Sequence, residues 1–424
     1  MRRNLFLLLL GFLLLLGCAG SNLSPESVSP PPEELSTHEF QQKHPEYWRK
    51  VKDLVLRTLA GVSQVRELSP PEEIPCRVVT ADWAGERWGR KYVRENSQKI
   101  AITERIWKSL FLLPREINLA DIYAEWPRSY LMAKSGGKLY FILENFSQLD
   151  GRELRKALAH EVVHFLQDEH FQAPERPTFD GEKAWSALVE GDADFTRTKY
   201  LEGIASEPAP EIKPLPLLST PTSSAPQIPP AVARLFHFPY DFGEAFVAAL
   251  HREGGWQKVN QAYFHPPETT EQILHPQKYF LGEGAKQIQP LPLDITGWRR
   301  ERVDQLGEYF IRVLLRTQLP PSRAEEAARG WGGDKLIYYE TRGSYLLTWQ
   351  LRWDSEDEAA QFQRAFTELL RGKGARALEP GLWSVQGEYL WEGLKGRKVL
   401  VVVSKDQGLV RSALAYLPQH GMVN

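Results

Sequence analysis

The sequence predicts an α+β fold built as a larger first region followed by a smaller α+β domain, and three observations carry that expectation. Segments with apolar residues at helical spacing alternate with short β-branched and aromatic runs along most of the chain. A length of 424 residues suggests two or three domains. Strands and helices interleave densely over 294–424, as they do in a compact second domain. The expected division is a leader at 1–17, a flexible tether at 18–38, a first domain at 39–293 interrupted by a Pro-rich insertion at 205–230, and a second domain at 294–424.

Arg2 and Arg3 precede an apolar run from Leu5 to Leu16, which ends at Leu15-Leu16-Gly17-Cys18. A basic start, a short apolar stretch and small residues after it make an export signal. The run is too short to span a bilayer as a helix. The cysteine after Leu-x-Gly resembles the lipobox of bacterial lipoproteins, which implies cleavage before Cys18, lipidation of Cys18 and an exported, membrane-anchored protein of the cell envelope. The Ser-, Pro- and Glu-rich stretch after it reads as a tether.

Tyr47, Val51, Leu54, Val55 and Leu59 predict a helix within about 40–68. Cys76–Thr80 and Lys138–Leu143 read as strands, the second entered through Gly136-Gly137. Helices are expected at about 151–169, 181–203 and 242–253, then a loop-rich stretch over 254–292. The Pro/Ser/Thr-rich 205–230 segment admits no regular helix or strand. In the last part a helix is expected over 301–317, strands at 335–340, 345–353, 382–390 and 398–404, a helix at 355–371, and a short terminal helix.

Composition excludes some functions. With 52 Lys+Arg against 54 Asp+Glu the chain has a formal charge of −2, so no basic field marks it for nucleic acid. Its two cysteines permit at most one disulfide, and lipidation of Cys18 leaves Cys76 as a free thiol beside a strand. Among the 13 tryptophans, Trp331, Trp349, Trp353, Trp383 and Trp391 read chiefly as packing residues.

The chemistry concentrates at His160-Glu161-Val162-Val163-His164. Residues four apart on a helix share a face, so His160 and His164 can reach one ion. Glu161 projects about 100° round from His160, beside such an ion, where a general base for the attacking water belongs. A catalytic zinc needs a third protein ligand. His170 has the spacing of H-E-x-x-H-x-x-G-x-x-H, but Gln167 stands where that motif needs glycine to leave the helix. Glu190 is the better candidate. With Asp194 it repeats the four-residue spacing on the next helix, so that Glu190 can ligate while Asp194 orients a ligand histidine through its far ring nitrogen.

H-E-x-x-H followed by E-x-x-x-D on the next helix resembles the gluzincins, the thermolysin-like zinc metallopeptidases. The continuation Leu166-Gln167-Asp168-Glu169-His170-Phe171, the segment Ala187-Leu188-Val189-Glu190-Gly191-Asp192-Ala193, Thr270–Pro276 and Gly330-Trp331-Gly332-Gly333-Asp334 are similar to a poorly characterised group of prokaryotic surface metallopeptidase-like proteins. The resemblance implies a zincin-like domain and one Zn2+ per chain on His160, His164 and Glu190. It implies peptide or protein substrates, Glu161 as base, and an oxyanion donor C-terminal to Glu190, for which Tyr240 and His275 are the candidates. It also implies an edge strand beside the zinc helix that pairs with extended substrate, a role open to Lys138–Leu143. The alternative is a surface lipoprotein that keeps the zinc scaffold for binding or envelope assembly without turnover.

Overall fold

A computed structural model describes residues 32–215, 228–291, 293, 297–341 and 343–415. Cys18, the leader and positions 216–227 of the Pro-rich segment lie outside the described residues. No helix among the described residues is long and apolar enough to cross a membrane.

The architecture is mixed helix and sheet. Six helices position the features that follow: α1 (Pro45–Arg66), α2 (Gly151–His170), α3 (Phe179–Gly203), α4 (Pro230–Phe264), α5 (Gly307–Leu315) and α6 (Glu356–Gly372). Helix α1 starts with proline at its first position and buries Trp48, Val51, Leu54, Val55, Leu59 and Val62 along one face. A three-stranded sheet has the order β1 (Cys76–Val79), β3 (Lys138–Ile142), β2 (Met132–Ser135). Strand β3 runs parallel to β1 and antiparallel to β2. Gly136 and Gly137, both at positive φ (53° and 70°), turn the β2–β3 hairpin.

Helix α2 follows this sheet and opens on a capping box. The Asp150 carboxylate accepts from the Arg152 and Glu153 amides, and Glu153 accepts from the Asp150 amide. Helices α3 and α4 approach each other backbone to backbone at Gly191 and Gly243. A Cβ on Gly191 would lie 2.2 Å from the Gly243 carbonyl carbon. Helix α4 is broken at Gly254–Gly255, the latter at φ 61°.

The C-terminal part is a seven-stranded antiparallel sheet. Its order is β4 (Arg299–Asp304), β5 (Trp331–Thr341), β6 (Ser344–Trp353), β10 (Lys398–Ser404), β9 (Glu388–Lys395), β8 (Leu382–Val385), β7 (Arg376–Glu379). Both faces of its inner strands β5, β6 and β10 are covered, so those strands are apolar on both sides. Leu336, Tyr338, Leu347, Trp349 and Leu351 pack with Phe310 of α5 and Phe362 of α6, while Ile337, Tyr339, Leu346 and Leu400 join a smaller cluster on the other face. The first of these clusters also includes Trp185 and Leu188 of α3, so the two parts share one core.

Several expectations change. Residues 32–38, assigned to the tether, belong to a helix over Pro32–Lys43 that is fastened to β1: the Thr37 hydroxyl donates to the Val78 carbonyl (3.2 Å) and accepts from its amide (2.9 Å). The helix expected at 301–317 is strand β4 followed by α5, because Gly307 at φ 80° interrupts any helix there. The strand expected at 382–390 is two strands around a turn at Gln386-Gly387, both at positive φ. The stretch from 254 to 292 carries the end of α4 and two short helices, Thr270–Leu274 and Pro276–Phe280. Lys138–Ile142 is the central strand of its sheet, so it cannot be the substrate-pairing edge; β2 is an edge strand, and it packs against α2. Trp331, Trp349 and Trp353 are fully buried packing residues. The Cys76 thiol is half-buried and pushed up to about 12 by burial.

Candidate metal centre

Helices α2 and α3 face each other and bring His160, His164 and Glu190 together, all buried. His160 Nε2 lies 3.2 Å from His164 Nε2 and 3.1 Å from Glu190 Oε2, and His164 Nε2 lies 3.6 Å from the same oxygen. A tetrahedral ion with bonds of about 2.0–2.1 Å holds its ligand atoms about 3.3 Å apart. The three separations bracket that edge length, so the triad fits one small divalent cation.

Both imidazoles are held at their other nitrogen. His160 Nδ1 is 2.7 Å from Asp194 Oδ1, and Arg197 Nη1 binds the same oxygen at 2.6 Å. His164 Nδ1 is 2.7 Å from Gln167 Oε1. Burial opposes charge on His160, but Asp194 and Glu190 outweigh it and hold its proton up to about 10. Burial likewise opposes charge on Glu190, and His164 and His160 outweigh it, taking the carboxyl down to about 2. Carboxylates gathered around the imidazoles thus make a pocket that favours positive charge.

Glu161 stands beside the triad. Its Oε2 accepts from the Lys134 amide of β2 (3.2 Å), while its buried Oε1 has no hydrogen-bond partner among the described residues. Burial raises its carboxyl above the usual carboxylate range, against the lowering influence of His160 and His164. A cleft of about 80 Å³ opens at this point, lined by Glu161, His164 and Glu190 on one side and by Phe171, Trp185 and Tyr263 on another. Phe171 and Tyr263 stack at 4.0 Å, with Trp185 edge-on to Tyr263.

The other expected site residues separate. Tyr240 of α4 lies with its ring 6.3 Å from that of His160, and its buried hydroxyl has no partner among the described residues. Burial and then Glu190 raise its phenol well above the ordinary value. His275 is not brought to the triad. Its Nε2 is 3.0 Å from Glu308 of α5, with Arg312 on the same carboxylate, and it does not line the cleft. His170 points away, its Nε2 2.9 Å from the Ser69 carbonyl oxygen.

Sequence reasoning missed the group behind His164. Arg66, the last residue of α1, donates to Asp192 through Nε (2.7 Å) and Nη2 (3.2 Å), with both side chains wholly buried. Tyr263 donates to Asp192 Oδ2 at 2.7 Å. The Gln167 amide nitrogen lies 2.9 Å from the Val189 carbonyl, 3.0 Å from the Tyr263 hydroxyl and 3.3 Å from Asp192. The available signal was Asp192 itself, a carboxylate set among Leu188, Val189 and Ala193, where only a buried cation could answer it.

A sequence family described as a domain of unknown function (DUF8575) matches residues 295–413. That span coincides with the seven-stranded sheet and its helices and does not include the metal triad. No curated protein and no solved structure matches the chain.

Proposed function

We propose that this chain is a zinc-dependent peptidase of the gluzincin type, carried on the cell envelope by a lipid on Cys18. The observation that bears most weight is the coincidence of a two-histidine, one-glutamate triad with a neighbouring carboxylate that lines the same cleft and has one oxygen without a hydrogen-bond partner among the described residues. Two imidazoles and one carboxylate are a donor set typical of catalytic zinc.

His160, His164 and Glu190 hold the ion, and Asp194 keeps His160 turned toward it. When bound, zinc supplies Lewis acidity, polarising the scissile carbonyl and making a water easier to deprotonate. Glu161 takes the proton of the attacking water at Oε1, while the Lys134 amide on Oε2 fixes the carboxylate plane. The same carboxyl, its proton affinity raised by burial, then returns that proton to the leaving amine. The Tyr240 hydroxyl is the donor available to the oxygen on which charge develops. Edge strand β2 offers main-chain groups to an extended peptide, with Phe171, Trp185 and Tyr263 forming an apolar wall beside it.

The test is hydrolysis of a broad peptide library, read by mass spectrometry, with and without chelator and with zinc restored. The expected result is cleavage that chelation abolishes, that zinc recovers and that Glu161→Gln eliminates while still binding one zinc. Zinc binding with no cleavage of any peptide refutes the peptidase reading and supports the non-catalytic lipoprotein instead.

A further inference from the structure

We infer that Gln167 sets the tautomer of His164 and is itself locked by a buried relay that runs through Tyr263 of α4 back to Arg66 of α1, so that the metal site is built by four helices rather than two. The inference rests on the metal-site reading above and adds positioning residues to it.

A glutamine amide presents an acceptor at one end and donors at the other, and a neighbour that can only accept decides which way it faces. The Val189 carbonyl is such a neighbour, 2.9 Å from Gln167 Nε2. The amide nitrogen therefore faces Val189, its second hydrogen reaches the Tyr263 hydroxyl, and Oε1 must face His164. An acceptor 2.7 Å from Nδ1 requires the proton on Nδ1, which leaves the Nε2 lone pair toward Glu190 and His160. At His160 the Asp194 carboxylate likewise holds a proton on Nδ1.

The lock extends further. The Tyr263 hydroxyl can accept from Gln167 because its own proton is committed to Asp192 Oδ2. Asp192 accepts from Tyr263, Gln167 and Thr196, and the Arg66 guanidinium supplies the charge that keeps it a pure acceptor in a fully buried setting. Arg66 is fixed in turn over the Trp256 ring, at 4.5 Å. The Tyr263 proton and the Gln167 amide hydrogens all meet acceptors, which fixes the direction of the Gln167 amide. Glycine at 167 would leave His164 without this partner.

The experiment uses the full chain in two forms. On metal-free protein in alkaline buffer, long-range proton–nitrogen NMR reads which nitrogen of His164 carries the proton; on the same protein, chelator competition reads zinc affinity. The wild type is expected to show the proton on Nδ1. Gln167→Met is expected to lose that preference and to bind zinc about ten- to hundredfold more weakly. Gln167→Glu keeps an acceptor on Nδ1, so it is expected to keep the tautomer and to bind zinc within about threefold of wild type. It is nevertheless the less stable variant, because a carboxylate oxygen replaces the donor facing Val189 and Asp192. A merely structural role predicts the reverse order of affinities. A wild-type His164 protonated on Nε2, or affinities that follow stability, overturns the inference, and the wild-type spectrum decides even if a variant fails to fold. Wild-type protein that binds no zinc but shows the expected His164 tautomer sinks the metal reading and leaves the relay standing.

Discussion

Gly191→Ala probes whether the contact between α3 and α4 is what holds Glu190 in place. The Cβ it adds would sit 2.2 Å from the Gly243 carbonyl carbon and oxygen, where ordinary contacts begin at 3.4 Å, a deficit of about 1.2 Å. Its neighbour is backbone and cannot swing aside as a side chain could. The helices must therefore separate, and overpacking of this kind costs about 1–3 kcal/mol. Alanine's better helix propensity returns up to about 1 kcal/mol. A net loss of about 1–2 kcal/mol lowers the Tm by roughly 2–8 °C for a domain of this size. Glu190 is the adjacent residue, and ligand positions tolerate only about ±0.2 Å. Even half the separation takes its carboxylate out of range, so zinc affinity falls at least about tenfold. Scanning calorimetry and chelator competition measure the two effects. Gly203→Ala, at the end of the same helix with nothing within 4 Å, is the control and leaves zinc binding unchanged. A Gly191→Ala protein as stable as wild type and equal to it in zinc affinity would show that the close approach does not position the ligand.

Asp194→Asn removes the charge behind His160 and is expected to weaken zinc binding about ten- to hundredfold, read by the same competition assay. Arg66→Met strands the buried Asp192 carboxylate, and breaking such a pair costs about 3–5 kcal/mol, visible as a lower urea midpoint. Asp180, wholly buried between α3 and the Thr270–Leu274 helix, has its carboxyl raised to about 7, burial outweighing the hydrogen bonds from Thr270 and Gln305. A raised folded value means a contribution fully present below about pH 4 and lost as pH rises toward 7. The urea midpoint of wild type is therefore expected to fall over that interval more steeply than that of Asp180→Asn, by an amount of order 4 kcal/mol at most. Equal slopes would remove Asp180 as the source.

The candidate triad was legible because its signal is local: His160 and His164 share a face at one-turn spacing, and Glu190 with Asp194 repeats that spacing thirty residues on. Strand β2 was not. Met132-Ala133-Lys134-Ser135 is four residues long with no alternation, and only its pairing to β3 makes it a strand. That omission transferred the edge role to Lys138–Ile142, which is apolar because it is central. Strand β4 was hidden by Arg299-Arg300-Glu301-Arg302, an exposed edge whose charges look helical in isolation. Arg66 carried no local sign of its role, because its partner lies 126 positions away. His275 carried a motif-like setting in Leu274-His275-Pro276, but nothing in its own segment announces Glu308, which claims its ring. Sequence spacing revealed candidate ligands within a helix; it could not reveal which distant carboxylate each basic group meets.

The central claim is that His160, His164 and Glu190 hold one zinc ion. Anomalous diffraction at the zinc absorption edge, from crystals of the full chain grown with zinc, tests it most directly. The account predicts one strong peak per chain, bounded by His160 Nε2, His164 Nε2 and a Glu190 carboxylate oxygen, with bonds of about 2.0–2.2 Å. A density map in which that position is empty, or in which zinc sits elsewhere with Glu190 turned away from both histidines, would contradict it.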